Sequence, residues 1–264
     1  MMFSPRRRTD TELLDLPLEA QDKRQLSGSL MDIRQVNLRL GGISSALRDL
    51  GLVLDHMETK GKSGAARLIN SAKNNTKWGW DGKNEAGREL KILDVAAGSA
   101  DVTAAMASRA GNRGFKVLAV AADLNLAVLG QGRAWNREFH EISYALANGL
   151  KLPFPDNSFD IVHCSLVLHH LSEEDAVHFL KEMARVSRFA VIAGDLRRNL
   201  IPWALIWIIS RLFTSNKYTR NDGPLSVLRS FTPGEIKELA QASGLKEFRV
   251  RRRHFWRMSL VGFI

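Results

Sequence analysis

The stretch "KILDVAAGSADVTAAMA", Lys91 to Ala107, has residue types and spacing suited to ligand binding. An apolar run reaches Asp94, crosses Ala96, Ala97, Gly98, Ser99 and Ala100, and enters an alanine-rich segment opened by Asp101. Strand, small-residue turn and helix make the layout of a nucleotide-binding loop, whose amides at a helix N-terminus receive an anion. Two carboxylates change what this loop attracts. Asp94 at the strand tip and Asp101 in the first helical turn repel a pyrophosphate and favour a nucleoside bearing an ammonium and a sulfonium. Gly98 alone is free to take a positive φ. Ala96 and Ala100 each add a methyl group, which the loop accommodates if their φ values are negative.

Further candidates follow along the chain. "VLAVAADLN" ends a second strand at Asp123 and Leu124, where an acid can hold both hydroxyls of a ribose. "ALANGLKLPFPDNSFDIV" places Asn148 and Gly149 at a third strand end. The Asn148 amide suits a purine edge, although Asn-Gly is equally a turn former. Ser165 closes a fourth strand, and His169 and His170 follow it in "SLVLHHL". An imidazole titrates near neutrality, so either is a candidate base; the plainer alternative packs one under the next helix and solvates the other. Trp203 and Trp207, one helical turn apart, are candidates to line an acceptor pocket, or simply to seal the core. Arg197, beside Asp195, Arg198 and Asn199, is a candidate to orient a carboxylate or phenolate, or a member of a surface ion-pair cluster. No metal is expected.

These residues need a scaffold, and the chain supplies one from about residue 90. Apolar strands lacking polar alternation ("LKILDVA", "FKVLAVAAD", "ISYALAN", "FDIVHCSLVL", "FAVIAGDL") alternate with helical segments. That pattern predicts an α/β fold with a parallel sheet covered on both faces. Beyond Asp195 come an apolar helix from Leu200 to Phe213, a basic loop "TSNKYTRNDGPLS", and a helix signalled by Thr232, Pro233 and Glu235. Two closing strands are expected as an antiparallel edge. Ahead of the sheet, residues 1–25 look extended over the surface. Leu30, Ile33, Val36, Leu38 and Leu40 fit one or two helices broken at Gly41-Gly42, and residues 55–88 look like a loop with a short helix at "AARLINSA".

Composition bounds the function. The 264 residues suit one core with an appendage. A lone cysteine, Cys164, excludes an internal disulfide framework and fits a reducing compartment. With no apolar run long enough to span a bilayer, a cytoplasmic location is expected. The net charge of +10 is uneven: residues 191–264 carry 13 basic and 5 acidic side chains, whereas residues 91–190 carry 10 and 11. Such a region suits nucleic acid, an anionic membrane, an acidic substrate, or plain solvation.

The charges favoured by the loop are those of S-adenosylmethionine, whose own carboxylate can still use the loop amides. "ILDVAAGSADV", "AVAADLN", "ANGLKLPFPDNSFDIVHCSLVLHHL" and "LKEMARVSR" resemble the class I S-adenosylmethionine-dependent methyltransferases, in particular the "type 11" small-molecule group that includes quinone-biosynthesis enzymes. "VNLRLGG" and "DLRRNLIPWALIW" with "TRNDGPLSVLRSFTPGEI" are similar to bacterial methyltransferases encoded beside type III polyketide synthases. The resemblance implies a Rossmann-like three-layer sandwich with a seven-stranded, mostly parallel sheet. An N-terminal extension over 1–88 and a helical lid insertion over about 197–230 would complete it.

It also implies S-adenosylmethionine held by Asp94, Ala96 to Ser99, Asp123, Leu124, Asn148, Gly149 and Ser165. The methyl group would face the fourth strand's end, beside His169 and His170. The expected acceptor is small and aromatic or polyketide-derived, methylated at oxygen. Departures are the two loop alanines, Asn148 where an acid is usual, and the long 55–88 segment. Alternatives are an RNA methyltransferase using the basic C-terminal third, or a quinone or lipid C-methyltransferase touching a membrane through residues 200–213. "HCSLVLHH" lacks the Asn/Asp-Pro-Pro-aromatic motif of amino-methylating nucleic-acid enzymes, which makes nucleic acid the weaker partner.

Overall fold

The apolar strands assemble as their composition requires. In the computed structural model, which describes residues 4–68 and 88–264, seven strands form one sheet in the order β3-β2-β1-β4-β5-β7-β6. β1 (Arg88–Val95), β2 (Phe115–Asp123), β3 (Ile142–Leu146), β4 (Phe159–Ser165) and β5 (Ser187–Leu196) run parallel. β7 (Arg257–Phe263) lies antiparallel between β5 and the edge strand β6 (Glu247–Arg253). Every residue of β4 before Ser165 is buried, as a strand covered on both faces must be.

Helices α3 (Asp101–Gly111), α4 (Leu126–Trp135) and α5 (Glu173–Val186) are the crossovers between successive strands, and α8 (Pro233–Ala242) precedes β6. On one face Phe179, Leu180 and Met183 of α5 and Ile236 and Leu239 of α8 pack on the sheet. On the other, Met106 and Ala107 of α3 join Leu50, Val53 and Leu54 of α2 (Gly42–Leu68). Thus α2, far from the sheet in sequence, is one of its covering helices. It follows α1 (Lys23–Arg39) across a break at Gly41, whose φ of +79° is the left-handed value glycine tolerates. The Thr232–Glu235 capping box at α8 is present as predicted.

Three expectations are corrected. The stretch from Asp55 to Leu68 is helix rather than loop. The apolar stripe of Leu50, Val53, Leu54 and Met57 buries the helix ahead of it, outweighing glycines that cost about 1 kcal/mol each. Residues 69–87, including the end of "AARLINSA", lie outside the described residues. The basic segment after α6 (Leu200–Phe213) is not a loop but helix α7 (Lys217–Arg229), with Pro224 inside it. Burial of Tyr218, Asp222, Val227 and Arg229 holds it despite the Asn-Asp-Gly-Pro turn signal. Lastly, residues 4–22 do run over the surface, largely exposed, but not as a featureless extension. Two 3-10 turns form at Leu13–Asp15 and Leu18–Ala20, and Glu12 is only 1% exposed.

Candidate active site

The loops after β1, β2, β3, β4 and β5 gather at one end of the sheet. β1 and β4 are neighbours there while their following helices α3 and α5 cover opposite faces, which is the switch-point crevice of open α/β sheets. The 96–100 loop takes an alternating path. Ala96, Gly98 and Ala100 have φ of +54°, +56° and +57°, so the expectation of negative φ for the alanines is overturned. Three tethers hold this strained path: Ala97 N–H donates to Ala122 O at 3.0 Å, Gly98 N–H to Asp123 Oδ2 at 2.9 Å, and Ala100 N–H to Ala97 O at 2.9 Å. Helix α4 presses on the loop at Gly132, and Asn136 Nδ2 donates to Ser99 O at 2.8 Å. A Cβ on Gly98 would meet nothing within 4 Å, so that side of the loop is open.

Each acid near the loop has a defined role. Asp94, buried, accepts from Thr103 Oγ1 at 2.5 Å and pairs with His163 Nδ1 at 2.7 Å. Asp101 accepts from Ser99 Oγ at 3.1 Å and from Asn37 Nδ2 of α1 at 3.2 Å. Asp123 also receives the Asn125 amide at 2.9 Å, leaving each oxygen a second lone pair. Burial pushes the carboxyls of Asp101 and Asp123 up, against the hydrogen bonds they accept. Leu124 and Leu146 expose apolar surface at the ends of β2 and β3. Asn148 forms the turn: its Oδ1 accepts from Leu150 N–H at 2.9 Å. Gly149 is needed for packing, because a Cβ there would lie 2.3 Å from Phe179 Cε2. Ser165 lines a small polar cavity with His163, Asp195 and Arg257.

The histidine pair occupies a 3-10 turn, Leu168–His170, because β4 stops at Ser165 rather than running to Leu168. His169 is buried, with Nδ1 2.7 Å from Asp195 Oδ1 and its amide 3.1 Å from Asp195 Oδ2. Asp195 is fully buried, and desolvation alone would raise its carboxyl, yet it lies below the usual range because the His169 imidazole and the Leu196 and His169 amides together outweigh burial. His170 Nδ1 pairs with Asp15 at 2.8 Å. The N-terminal segment is strapped across both. Glu12 Oε1 lies 4.0 Å from His169 Nε2, and Arg229 of α7 donates to His169 O, His170 O and Asp10 O at 3.1, 2.8 and 2.7 Å. Burial raises the Glu12 carboxyl to about 7. Glu12, His169 and His170 converge closely enough to resemble a metal ligand set. The Arg229 guanidinium, 3.7 Å from Glu12 Oε1, already brings positive charge to the same cluster and disfavours a cation.

Trp203 and Trp207 face elsewhere. They line a groove of about 370 Å³ between α6, α7 and the strap, together with Arg8 and Arg211. Arg197 is not part of that groove; its backbone binds Trp256 O at 2.8 Å and its guanidinium lies near Arg252, which with burial lowers its pKa. Sequence reasoning missed Glu12, Asp15, His163 and Arg229. Of these only His163 left a signal, a lone imidazole inside the apolar run "FDIVHCS".

Residues 92–189 match the family model described as a methyltransferase domain. Over that segment the chain therefore matches a methyltransferase domain. Within it, a stretch of 100 residues is 40% identical to the ubiquinone/menaquinone biosynthesis C-methyltransferase UbiE of Shewanella frigidimarina, covering 37% of this chain and 38% of that protein. The same enzyme of Shewanella sp. strain W3-18-1 is 39% identical over equal shares. The chain thus aligns with little more than a third of these relatives' length. A crystal structure of a SAM-dependent methyltransferase from Aquifex aeolicus shares the fold, with a TM-score of 0.51 at 17% identity over 67% of this chain and 84% of that one. S-adenosylmethionine is the cofactor named for that Aquifex aeolicus enzyme. At this end of the sheet the open loop face, the Asp123 lone pairs, the exposed Leu124 and Leu146 and the buried acids offer room for a ligand, hydrogen-bond acceptors, apolar surface and negative charge.

Proposed function

We propose that this methyltransferase domain methylates a hydroxyl group of a small aromatic or polyketide-derived acceptor, with His169 as the base. The Asp195–His169 pair carries this reading. A carboxylate on Nδ1 fixes the tautomer with the proton there and leaves Nε2 as the acceptor. Bound S-adenosylmethionine supplies a methyl group and departs as a neutral thioether, so no general acid is required. The chain's own residues align the acceptor, exclude water and take one proton. His169 Nε2 takes that proton, and buried Asp195 stabilises the imidazolium. The strap residues around Glu12 close the space above Nε2, so an acceptor reaches the base only when the strap yields.

In this reading, Asp123 holds the ribose, Leu124 the purine, and the open face of the 96–100 loop at Gly98 the amino-acid part. His170, paired with Asp15, positions the strap rather than the proton. A second reading has one observation in its favour, the similarity to a quinone-pathway C-methyltransferase. Ionising a ring hydroxyl also activates the neighbouring ring carbon, so His169 would serve either outcome. Transfer of labelled methyl from S-adenosylmethionine to a panel of phenols and naphthols tests both. The expected product carries a methoxy group, and His169→Ala and Asp195→Asn lower kcat by about 10²–10⁴ without loss of cofactor binding. A ring-methylated product would favour the second reading. Unchanged turnover in both variants would remove the base from either.

A further inference from the structure

We propose that α6 docks this protein onto an anionic lipid surface. Helix α6 is anchored by Pro202 and Ser210, its buried residues. Its opposite side is a stripe of Ile201, Leu205, Ile208 and Leu212 at i, i+4, i+7 and i+11, each between 41% and 72% exposed. Phe213, at the helix end, is 81% exposed. A helix packed on a soluble core normally turns polar side chains outward; here the outward face is aliphatic along the whole helix, and such a contiguous patch marks an interaction surface.

Charge identifies the occupant. From Leu200 to Asn221 the sequence has no acidic residue, while Arg211, Lys217 and Arg220 are exposed around the C-terminal end of the stripe. Arg220 is held there by donating to Thr214 O at 2.8 Å and Arg211 O at 3.1 Å. An apolar stripe rimmed by cations complements acyl chains beneath anionic headgroups. A second copy of the helix would offer those cations no anionic partner, since the segment from Leu200 to Asn221 carries no acid. At about 1.5 Å per residue, the 14 residues of α6 cannot cross a bilayer, and among the described residues no helix is long and apolar enough to do so. The helix therefore lies in the interface plane. Trp203 and Trp207 place their groove on the flank of the same helix, next to the lipid.

Flotation of the full-length protein with vesicles tests this, comparing phosphatidylcholine alone with phosphatidylcholine containing phosphatidylglycerol. The protein is expected to float with the anionic vesicles and far less with the neutral ones. Ile208→Glu combined with Leu212→Glu should weaken the association by at least about tenfold, with the melting temperature and S-adenosylmethionine binding retained. Arg211→Gln combined with Lys217→Gln should reduce it on anionic vesicles only. Failure to float, or equal flotation of the Ile208→Glu/Leu212→Glu variant, would overturn the proposal. So would a dimer in size-exclusion chromatography that these substitutions dissociate in the absence of vesicle binding, which would assign the face to a second copy. None of these readouts depends on which acceptor is methylated.

Discussion

At the scale of single residues, the buried Glu12 carboxyl is the group most out of place. Desolvation raises it from its ordinary 4.5 to about 7, only partly offset by His170 and the Ser226 hydroxyl, which donates to Oε2 at 2.9 Å. The folded state therefore holds this proton to higher pH than the unfolded chain does. Its contribution to stability is complete below about 4.5 and is lost as pH rises through about 7. The full difference corresponds to about 3 kcal/mol. Glu12→Gln keeps the shape and stays neutral, so the variant should match the parent at acid pH and exceed it above pH 7. Denaturation across that range checks this; a parallel pH dependence in the two proteins would place the ionisation elsewhere. A second residue-scale prediction concerns Ala96. Left-handed backbone costs a non-glycine residue about 1–2 kcal/mol, while glycine loses more freedom on folding. Ala96→Gly should therefore raise the melting temperature modestly, whereas Gly98→Ala, at +56°, should lower it.

At the scale of elements, the strap and α7 are stabilised by each other. Asp222 of α7 accepts the Leu13 and Leu14 amides at 2.9 and 3.0 Å, and Arg229 spans Asp10, Asp15 and the His169–His170 turn. A planar guanidinium can serve several acceptors at once; an ammonium cannot. Arg229→Lys should therefore cost about 3 kcal/mol, the scale of breaking a buried charged network. Limited proteolysis should then nick residues 5–20 faster while the sheet stays protected. Equal cleavage in both proteins would show the strap to be held by other contacts. These same elements show where sequence reading stops. The strands, the Gly41 break and the Thr232 capping box were legible because each is decided within a few residues. The loop of Asp94 to Asp101 and the Asp123 tip were legible for the same reason. Helix α7 was not, since local signals at Asn221-Asp222-Gly223-Pro224 favour a turn and only contacts with the distant strap reverse them. Glu12 was illegible too: nothing in a polar N-terminus announces a carboxylate destined for burial beside a histidine encoded far downstream.

At the scale of the whole molecule, two electrostatic influences oppose each other at the 96–100 loop. The chain carries +10 overall and would draw any phosphorylated nucleotide from a distance. Much of that excess sits in the C-terminal third, including Arg249, Arg251 and Arg252 of the edge strand β6, four strands removed from β1 in the sheet. Screening over about 8–10 Å at ordinary ionic strength removes most of its reach. Nearer the loop stand Asp94, Asp101 and Asp123. The raised carboxyls of Asp101 and Asp123 ionise more readily when a cation settles beside them, so they reward a positively charged ligand and penalise a pyrophosphate. Binding should accordingly weaken as pH falls and those carboxyls take up protons. S-adenosylmethionine at a hundred times its Kd should stabilise the protein by about 2.7 kcal/mol, a rise of about 5–10 °C in Tm for a chain of this size. NAD at the same concentration should leave Tm within about 1 °C of the free protein, by the same linkage. S-adenosylhomocysteine, which lacks the sulfonium, separates charge from shape: it should stabilise less than the methylated form, with a gap that narrows as salt is added. Equal shifts from NAD and S-adenosylmethionine would mean that the distant basic field governs the loop, and the assignment of Asp94 and Asp101 as selectivity elements would fail.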